Sequence, residues 1–565
     1  MTNSPTVRVA AAQFHVGADV DANLATCLRM LDVAAACQPD LIVLPEFCNH
    51  LSWHDDKQHC FAVSVRLDGP FLAAIAAKAA ALNCFVAVNC TVQRDDGSAT
   101  GSSLLYSRDG KLLADNTKQI YIGHENDYLE RATSEGPVVD TAIGRLGLYA
   151  CMDGVINETP RCLALNGAQL MLNSLNSFAT DEASLHIPVR AAENKVFVIA
   201  ANKIGPLVPE EMVPAISAAT GIPPKFLDGA GESQVVAPDG TVLAKASPDR
   251  EEFIYADIEV ALADDKRRPD GTDIFAARRP QLYASISEDP AGQALPDMTG
   301  AAEMAAAIVQ LADSSDLVEL AASLDEAVSA GAELIVLPPV TGSGDDLPSR
   351  AAFGQAVLAV IADHCGAATV ATSLLRAADN GGYRHVAVAV DATGVALAQP
   401  QVHRSARFDF SEPADDFVTL DTSFGRLAVL TSDDSIYPET FRLLAMRGVE
   451  VVALPLAPLE AWELSTGLLE RSAENRINLV VAPDSAALGP AFSTCLQTDF
   501  TVMTQWHERS FDGLLSQPEL TQYAARPGVY PCRLRPANAA NKVVSHRTDL
   551  LTDRPWQIAG AITRV

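Results

Sequence analysis

One cysteine, one glutamate and one lysine stand out in this sequence because a second stretch of the same chain lacks all three. "GRLGLYACMDGVINETPR" ends at Arg161, and "GRLAVLTSDDSIYPETFR" ends at Arg442. The spacing between those arginines recurs between "RAAENKVFVIAAN", from Arg190, and "RSAENRINLVVAP", from Arg471. "PDLIVLPEF" is echoed by "AELIVLPPV", and "DGKLLADN" by "TGVALAQP". Asp153, Glu158 and Arg161 return as Asp434, Glu439 and Arg442. Arg190, Glu193 and Asn194 return as Arg471, Glu474 and Asn475. Groups kept in both copies are expected to serve the fold, as caps and buried ion pairs. Cys151, however, becomes Ser432, and Glu46 becomes Pro339. Lys118, counted from Gly110, becomes Val402, counted from Gly394. Three reactive side chains lost together read as one working unit.

That unit has a definite chemistry. A thiol is a poor nucleophile until a base or a lowered pKa activates it. A buried carboxylate can take its proton and pass it to a leaving amine. An ammonium beside them can stabilise the oxyanion of a tetrahedral intermediate. Cys151, Glu46 and Lys118 would therefore attack an amide-like or nitrile carbon and form a thioester that water hydrolyses. Taken singly, each residue reads more plainly: Cys151 as a buried thiol, Lys118 as a solvated hairpin lysine, Glu46 as a strand-end carboxylate.

The elements that must position these residues alternate between strand and helix. Val7 to Phe14 reads as a strand, and Asp21 to Cys37 as a helix with Leu24, Cys27, Leu28 and Leu31 on one face. "DLIVLPEF" is a buried strand stopped at Pro45, placing Glu46 just beyond its end. Asp109-Gly110 marks a hairpin ahead of Lys118. "RLGLYACMD" reads as another strand, carrying Cys151, followed by a helix from about Thr159. With two copies, the expected organisation is a catalytic domain at 1–284, a linker at 285–299 and a degenerate domain at 300–565.

With these motifs in order and spacing, the first copy, over about residues 5–283, resembles the nitrilase superfamily, the carbon–nitrogen hydrolases. "LIVLPEF", "DNTKQ", "CMDGVINETPR", "RAAENKVFVIAAN", "GAGESQVVAPDGTVLAKA" and "RRPQLY" carry the resemblance. It implies an α/β fold of αββα sandwiches, with the two copies packed as an intrachain pseudo-dimer. It implies Cys151 as nucleophile, Glu46 as general base and Lys118 as oxyanion stabiliser, with the backbone N–H of Met152 completing the oxyanion hole. It also implies a second glutamate between lysine and cysteine. Glu125 is favoured over Glu130, because Tyr128 three residues on matches the aromatic that follows in relatives. Asn176 is either a pocket residue or a plain turn asparagine. Asn157 before Glu158, and Met152 where many relatives have tyrosine, depart from the family pattern. The "C-x-D-G" form is more similar to aliphatic amidases and formamidases than to true nitrilases. Hydrolysis of a small amide is the favoured reading; a nitrile or N-carbamoyl substrate is the alternative. From another class, both copies could be non-catalytic binding modules.

"CNHLSWHDDKQHC", Cys48 to Cys60, offers three histidines and two cysteines. Their spacing matches no standard zinc set, and the resemblance implies no metal or other cofactor. The loop is expected to wall the substrate pocket, with His50, Trp53 and His54 as substrate contacts. The segment 205–231 reads as a lid or an interface insertion.

Length and charge bound the rest. At 565 residues the chain exceeds one ordinary core. A formal net charge of −30 leaves no basic surface for nucleic acid or anionic membranes. Eleven cysteines without CxxC spacing fit reduced thiols, and no signal peptide or membrane-length run is evident, so a cytoplasmic location is expected. The expected partners are a small amide-like substrate and, for the chain itself, further homo-oligomers.

Overall fold

A computed structural model describes residues 6–291, 296–342, 344, 346–485 and 487–565 of the chain. Its strands form four six-stranded sheets and two short ribbons among the described residues. In the first sheet the order is Glu252–Glu259, Thr6–Gln13, Leu41–Val43, Phe85–Gln93, Ala99–Tyr106 and Leu112–Thr117. Its middle strands are parallel and its outer pairs antiparallel. In the second the order is Val242–Lys245, Gln234–Val236, Phe197–Ala201, Leu170–Ser174, Gly144–Ala150 and Val138–Thr141.

Alternation along the strands builds the layers. Val7, Val9 and Ala11 of one sheet meet Leu146, Leu148, Leu170 and Leu172 of the other in a dry core. The far face of the first sheet packs on the helices Val20–Ala34 and Pro70–Leu82 through Cys27, Leu31, Leu72 and Ile75. The far face of the second packs on Glu158–Leu165 and Ile187–Asn194. The result is helix, sheet, sheet, helix: the αββα sandwich. Leu41–Val43 is covered on both faces, which is why it reads as an unbroken apolar run. The helix at 20 starts where the Asp19 carboxylate accepts from Asp21 and Ala22 N–H, and continues as a 3₁₀ turn to Cys37.

Residues beyond 300 repeat this plan. One sheet runs from Gly394–Pro400 to Met304–Gln310 and Gly528–Leu534, the other from Leu420–Thr422 to Glu519–Gln522. The expected linker at 285–299 carries a 3₁₀ turn at Ala284–Ser287, and its residues 292–295 lie outside the described ones. Segment 205–231 holds the helix Val213–Thr220 between the paired strands Ile204–Pro206 and Asp228–Ala230. Among the described residues no helix is long and apolar enough to cross a membrane.

The arginines and glutamates kept in both copies form buried ion pairs, as expected, and many of these run between the halves. Arg161 meets Glu439 at 2.9 Å, and Arg442 meets Glu158 at 2.6 Å. Arg190 reaches Glu474 at 2.7 Å, while Arg471 reaches Glu193. Each pairing recurs with the halves exchanged. One apolar cluster joins Cys162, Tyr283 and Ile286 to Phe441, Leu444 and Ile562 across the same contact.

Candidate active site

The site stands at the carboxyl ends of parallel strands, where side chains from both sheets converge. Gly144–Ala150 ends in Cys151, and the chain turns at once into the short helix Met152–Val155. Cys151 adopts φ 49°, ψ −111°, a strained conformation for a residue with a Cβ. Its N–H is held by the Ser174 carbonyl at 3.0 Å and by Asn173 Oδ1 at 3.2 Å. Cys151 as a whole is 8% exposed. Ser432, its counterpart, has no positive φ, and the residue before it is extended. The second copy has lost the sharp turn along with the sulfur.

Glu46 follows Pro45 and is fully buried; its N–H donates to the Leu175 carbonyl beside the cysteine strand. Lys118 follows Leu112–Thr117 and is buried as well. Its Nζ lies 2.7 Å from Glu46 Oε1 and 2.8 Å from Glu125 Oε2. Only the Glu125 contact has good hydrogen-bond geometry, so both oxygens of Glu46 are left without a donor. Glu130 points elsewhere, to Lys57 at the surface. The fold therefore brings Glu125, not Glu130, to the lysine.

Burial sets the electrostatics. It pushes the Glu46 carboxyl up, and the Lys118 charge only partly offsets this. Burial works against the Lys118 ammonium, but Glu125 and then Glu46 outweigh it and hold the group well above the usual lysine range. The Cys151 thiol is pushed well up by burial and further by Glu46, with Lys118 opposing. A neutral thiol thus rests beside a base of raised proton affinity and a firmly charged cation.

Asp153 explains why both copies keep an aspartate there. Its Oδ1 accepts the N–H groups of Gln119 at 3.0 Å and Ile120 at 2.8 Å, fastening the lysine loop to the cysteine turn. Burial lifts its carboxyl to about 7. Asp434 holds the N–H groups of Val402 and His403 in the same way. This fixes the register between copies and corrects the comparison at Lys118: its structural counterpart is Gln401, not Val402. Strand pairing agrees, since Lys118 N–H bonds Gly101 and Gln401 N–H bonds His385 at equivalent rungs. Counting from the turn glycine slips by one because the second hairpin closes more tightly, with Asp391 paired directly to Gly394.

The other expected pocket residues fall on two sides. Trp53 and His54 line a cavity of about 150 Å³ together with Glu125 and Tyr128. Cys151 does not line it. His50 is buried, bonded to the Leu51 carbonyl at 2.7 Å, and stacked on His54 at 5.5 Å. Burial lowers the His54 imidazole to about 4, so it is neutral, and its Nδ1 has no partner. Among the described residues no group of three or more His, Cys, Asp or Glu side chains is arranged to hold a metal ion. Met152 opens the helix after Cys151, where the first N–H groups have no intrahelical acceptor. Asn176 is half-buried with Oδ1 unpaired.

Two residues escaped the sequence reading. Lys203 is wholly buried just past Phe197–Ala201, with no hydrogen-bond partner for Nζ. Its ammonium lies 5.9 Å from the ring of Phe47, the same ring that Lys118 faces at 5.4 Å. Burial lowers it to about 8, with Cys48, Glu46 and Cys151 opposing. A signal existed: the spacing that pairs Arg190 with Arg471 pairs Lys203 with Asp484, a fourth reactive group not kept. Glu182, pushed up to about 8 by burial, gave no such signal, because the same spacing keeps it as Glu463.

Known proteins resemble this chain over its first half. Residues 8–268 match the family model for carbon-nitrogen hydrolases. A nitrilase of Pyrococcus abyssi is 25% identical over 264 residues, 46% of this chain and 93% of its own. A hydrolase in the pqqF 5' region of Pseudomonas protegens is 29% identical over 275 residues, 48% of this chain and 88% of its own. The crystal structure of an amidase from Nesterenkonia sp. shares 23% identity, 47% of this chain and 95% of that chain, with a TM-score of 0.39. In its first half, this chain belongs to the nitrilase superfamily and is an enzyme of the carbon–nitrogen hydrolase class.

Proposed function

We propose that the first half, residues 1–284, hydrolyses a small amide to acid and ammonia through a thioester on Cys151. The observation that carries this is buried Glu46 and Lys118 with half-buried Glu125, at the two salt-bridge distances given above, beside a cysteine on a strained turn. As Sγ attacks the carbonyl carbon, Glu46 takes the thiol proton; its unpaired oxygens and raised affinity suit it to that task. The oxyanion forms against Lys118 Nζ and the Met152 N–H. Glu125 holds the lysine in place. Glu46 then returns the proton to the nitrogen, ammonia leaves, and water activated by Glu46 cleaves the thioester. His50, Trp53, His54 and Asn176 are assigned to substrate binding; no metal or cofactor enters the reaction.

Residues 300–565 are read as a non-catalytic copy, because Ser432 lacks the sharp turn, Pro339 replaces the base and Gln401 replaces the lysine. The exchanged ion pairs support an intrachain pseudo-dimer, in which one face of each copy covers the other.

The test is ammonia release from a panel of short amides, nitriles and N-carbamoyl amino acids. Amides are expected to turn over, with Cys151→Ala reduced to background and Glu46→Gln slowed by about 10²–10⁴-fold. Intact-mass measurement on rapid quenching should show an acyl adduct on Cys151. Turnover that survives Cys151→Ala would end this reading, and a preference for nitriles would move it to the alternative substrate.

A further inference from the structure

The last two strands of each second sheet are equivalent, yet they are joined very differently. Gln234–Val236 and Val242–Lys245 are linked by a tight turn at Asp239-Gly240. Phe492–Cys495 and Glu519–Gln522 pair in the same antiparallel way, but residues 496–518 lie between them. This inserted arm is a built structure. The Asp499 carboxylate accepts from the N–H groups of His507, Glu508 and Arg509 at 2.6–3.0 Å. Val502 N–H bonds the Val544 carbonyl at 2.8 Å, and Trp506 Nε1 bonds the Thr501 carbonyl at 3.0 Å.

The arm crosses to the first half and docks beside the cysteine turn. Thr180 N–H donates to the Gly513 carbonyl at 2.8 Å. Asp181 Oδ2 accepts from the N–H groups of Ser516 at 2.7 Å and Gln517 at 3.0 Å. The Ser516 hydroxyl meets His186 Nε2 at 2.8 Å. Phe511 packs on Phe178 at 5.7 Å, on Phe226 at 5.5 Å and on Trp506 at 5.0 Å. These rings belong to one apolar cluster with Met152 and Val155 of the cysteine turn, Ile120 of the lysine loop and Trp53 of the loop after Glu46. Phe178 lies two residues past Asn176 on the segment leaving Leu170–Ser174.

We infer that the inserted arm of the second half forms the apolar wall of the first half's acyl subsite, limiting it to amides with short, apolar acyl groups. The inference rests on the proposed amide hydrolysis. The second copy then contributes specificity as well as support. Trp506, Phe511 and Leu515 close the subsite, and Asp181 anchors the arm through the backbone N–H groups of Ser516 and Gln517.

The test uses the full chain and a homologous series of amides from acetamide to hexanamide, with phenylacetamide added. Phe511→Ala and Trp506→Ala should raise kcat/KM for the longest and aromatic amides relative to acetamide by about 10-fold or more, with the change in KM exceeding that in kcat. An unchanged chain-length profile in folded variants overturns the inference. Should either variant melt early, the unaltered chain answers the question. A haloacetamide bearing an aryl azide is attached to Cys151 and irradiated; crosslinks mapped to residues 506–516 support the wall, and crosslinks confined to the first half refute it. Failure of the underlying reading looks different: no amide is hydrolysed and Cys151 is not labelled ahead of the other thiols.

Discussion

Lys203 shows what the interior of the first half tolerates. An ammonium with no hydrogen-bond partner and a value lowered to about 8 is held at a cost in folding energy. In the unfolded chain the group titrates near 10.5, so between pH 8 and 10.5 the unfolded state binds more protons, and stability rises with pH across that window. Lys203→Met should therefore stabilise the chain at pH 7 by up to about 3 kcal/mol, with the gain shrinking to nothing by about pH 10.5. The same substitution should slow amide turnover, since a positive charge facing Glu46 and Cys151 is lost. Melting curves from pH 7 to 10.5, read beside turnover, check both. At this scale the sequence exposed Glu46, Lys118 and Cys151 because a degenerate copy lacked them. The strained turn at Cys151 and the buried partners of Asp153 left no mark, because backbone angle and burial are set by the packed sheets.

At the level of elements, the helices Glu158–Leu165 and Pro438–Met446 are held together by charge as well as by apolar contact. Glu439 lies between Arg161 at 2.9 Å and Arg278 at 3.0 Å. Burial works to raise its carboxyl, but the two guanidiniums outweigh this and bring it down to about 2. Its contribution to stability is present above about pH 4.5 and is lost as pH falls toward 2. Glu439→Gln should flatten that stretch of the acid melting profile. Arg442→Met, which strands the buried Glu158, should cost about 3–5 kcal/mol, and the pair Arg442→Met with Glu158→Leu should recover much of it. Denaturant titration of the two variants decides the point: equal losses would show that the charges do not interact. Strand and helix identity was legible from alternation and helical spacing along the first copy. The direction of the ion pairs was not, because a repeated Glu and Arg look the same whether they bind within a copy or across to the other. The arm at 496–518 was missed for a related reason: it has no counterpart in the first copy, and matching repeats only shows what both share.

On the scale of the whole chain, the two halves share apolar clusters that neither could close alone. A chain ending near residue 290 would expose Met152, Val155, Ile120 and Phe178 where the arm now lies, and would take from Arg161 and Glu158 their ion-pair partners Glu439 and Arg442. It should be insoluble or inactive; a fully active, monomeric 1–290 chain, seen by light scattering and ammonia release, would contradict this. The duplication itself, with the join near the 3₁₀ turn at Ala284–Ser287, was the most legible large feature, because a repeated spacing survives wide divergence in side chains. The arm has one more consequence. In an assembly of two identical subunits every change is made twice: an insertion that shapes one pocket also appears at the other, and losing a nucleophile disarms both. Joining unequal copies in one chain removes that mirror constraint. One half can give up its own chemistry and reshape its surface as a tailored neighbour, so selection on substrate size can act far from the residues that break the bond.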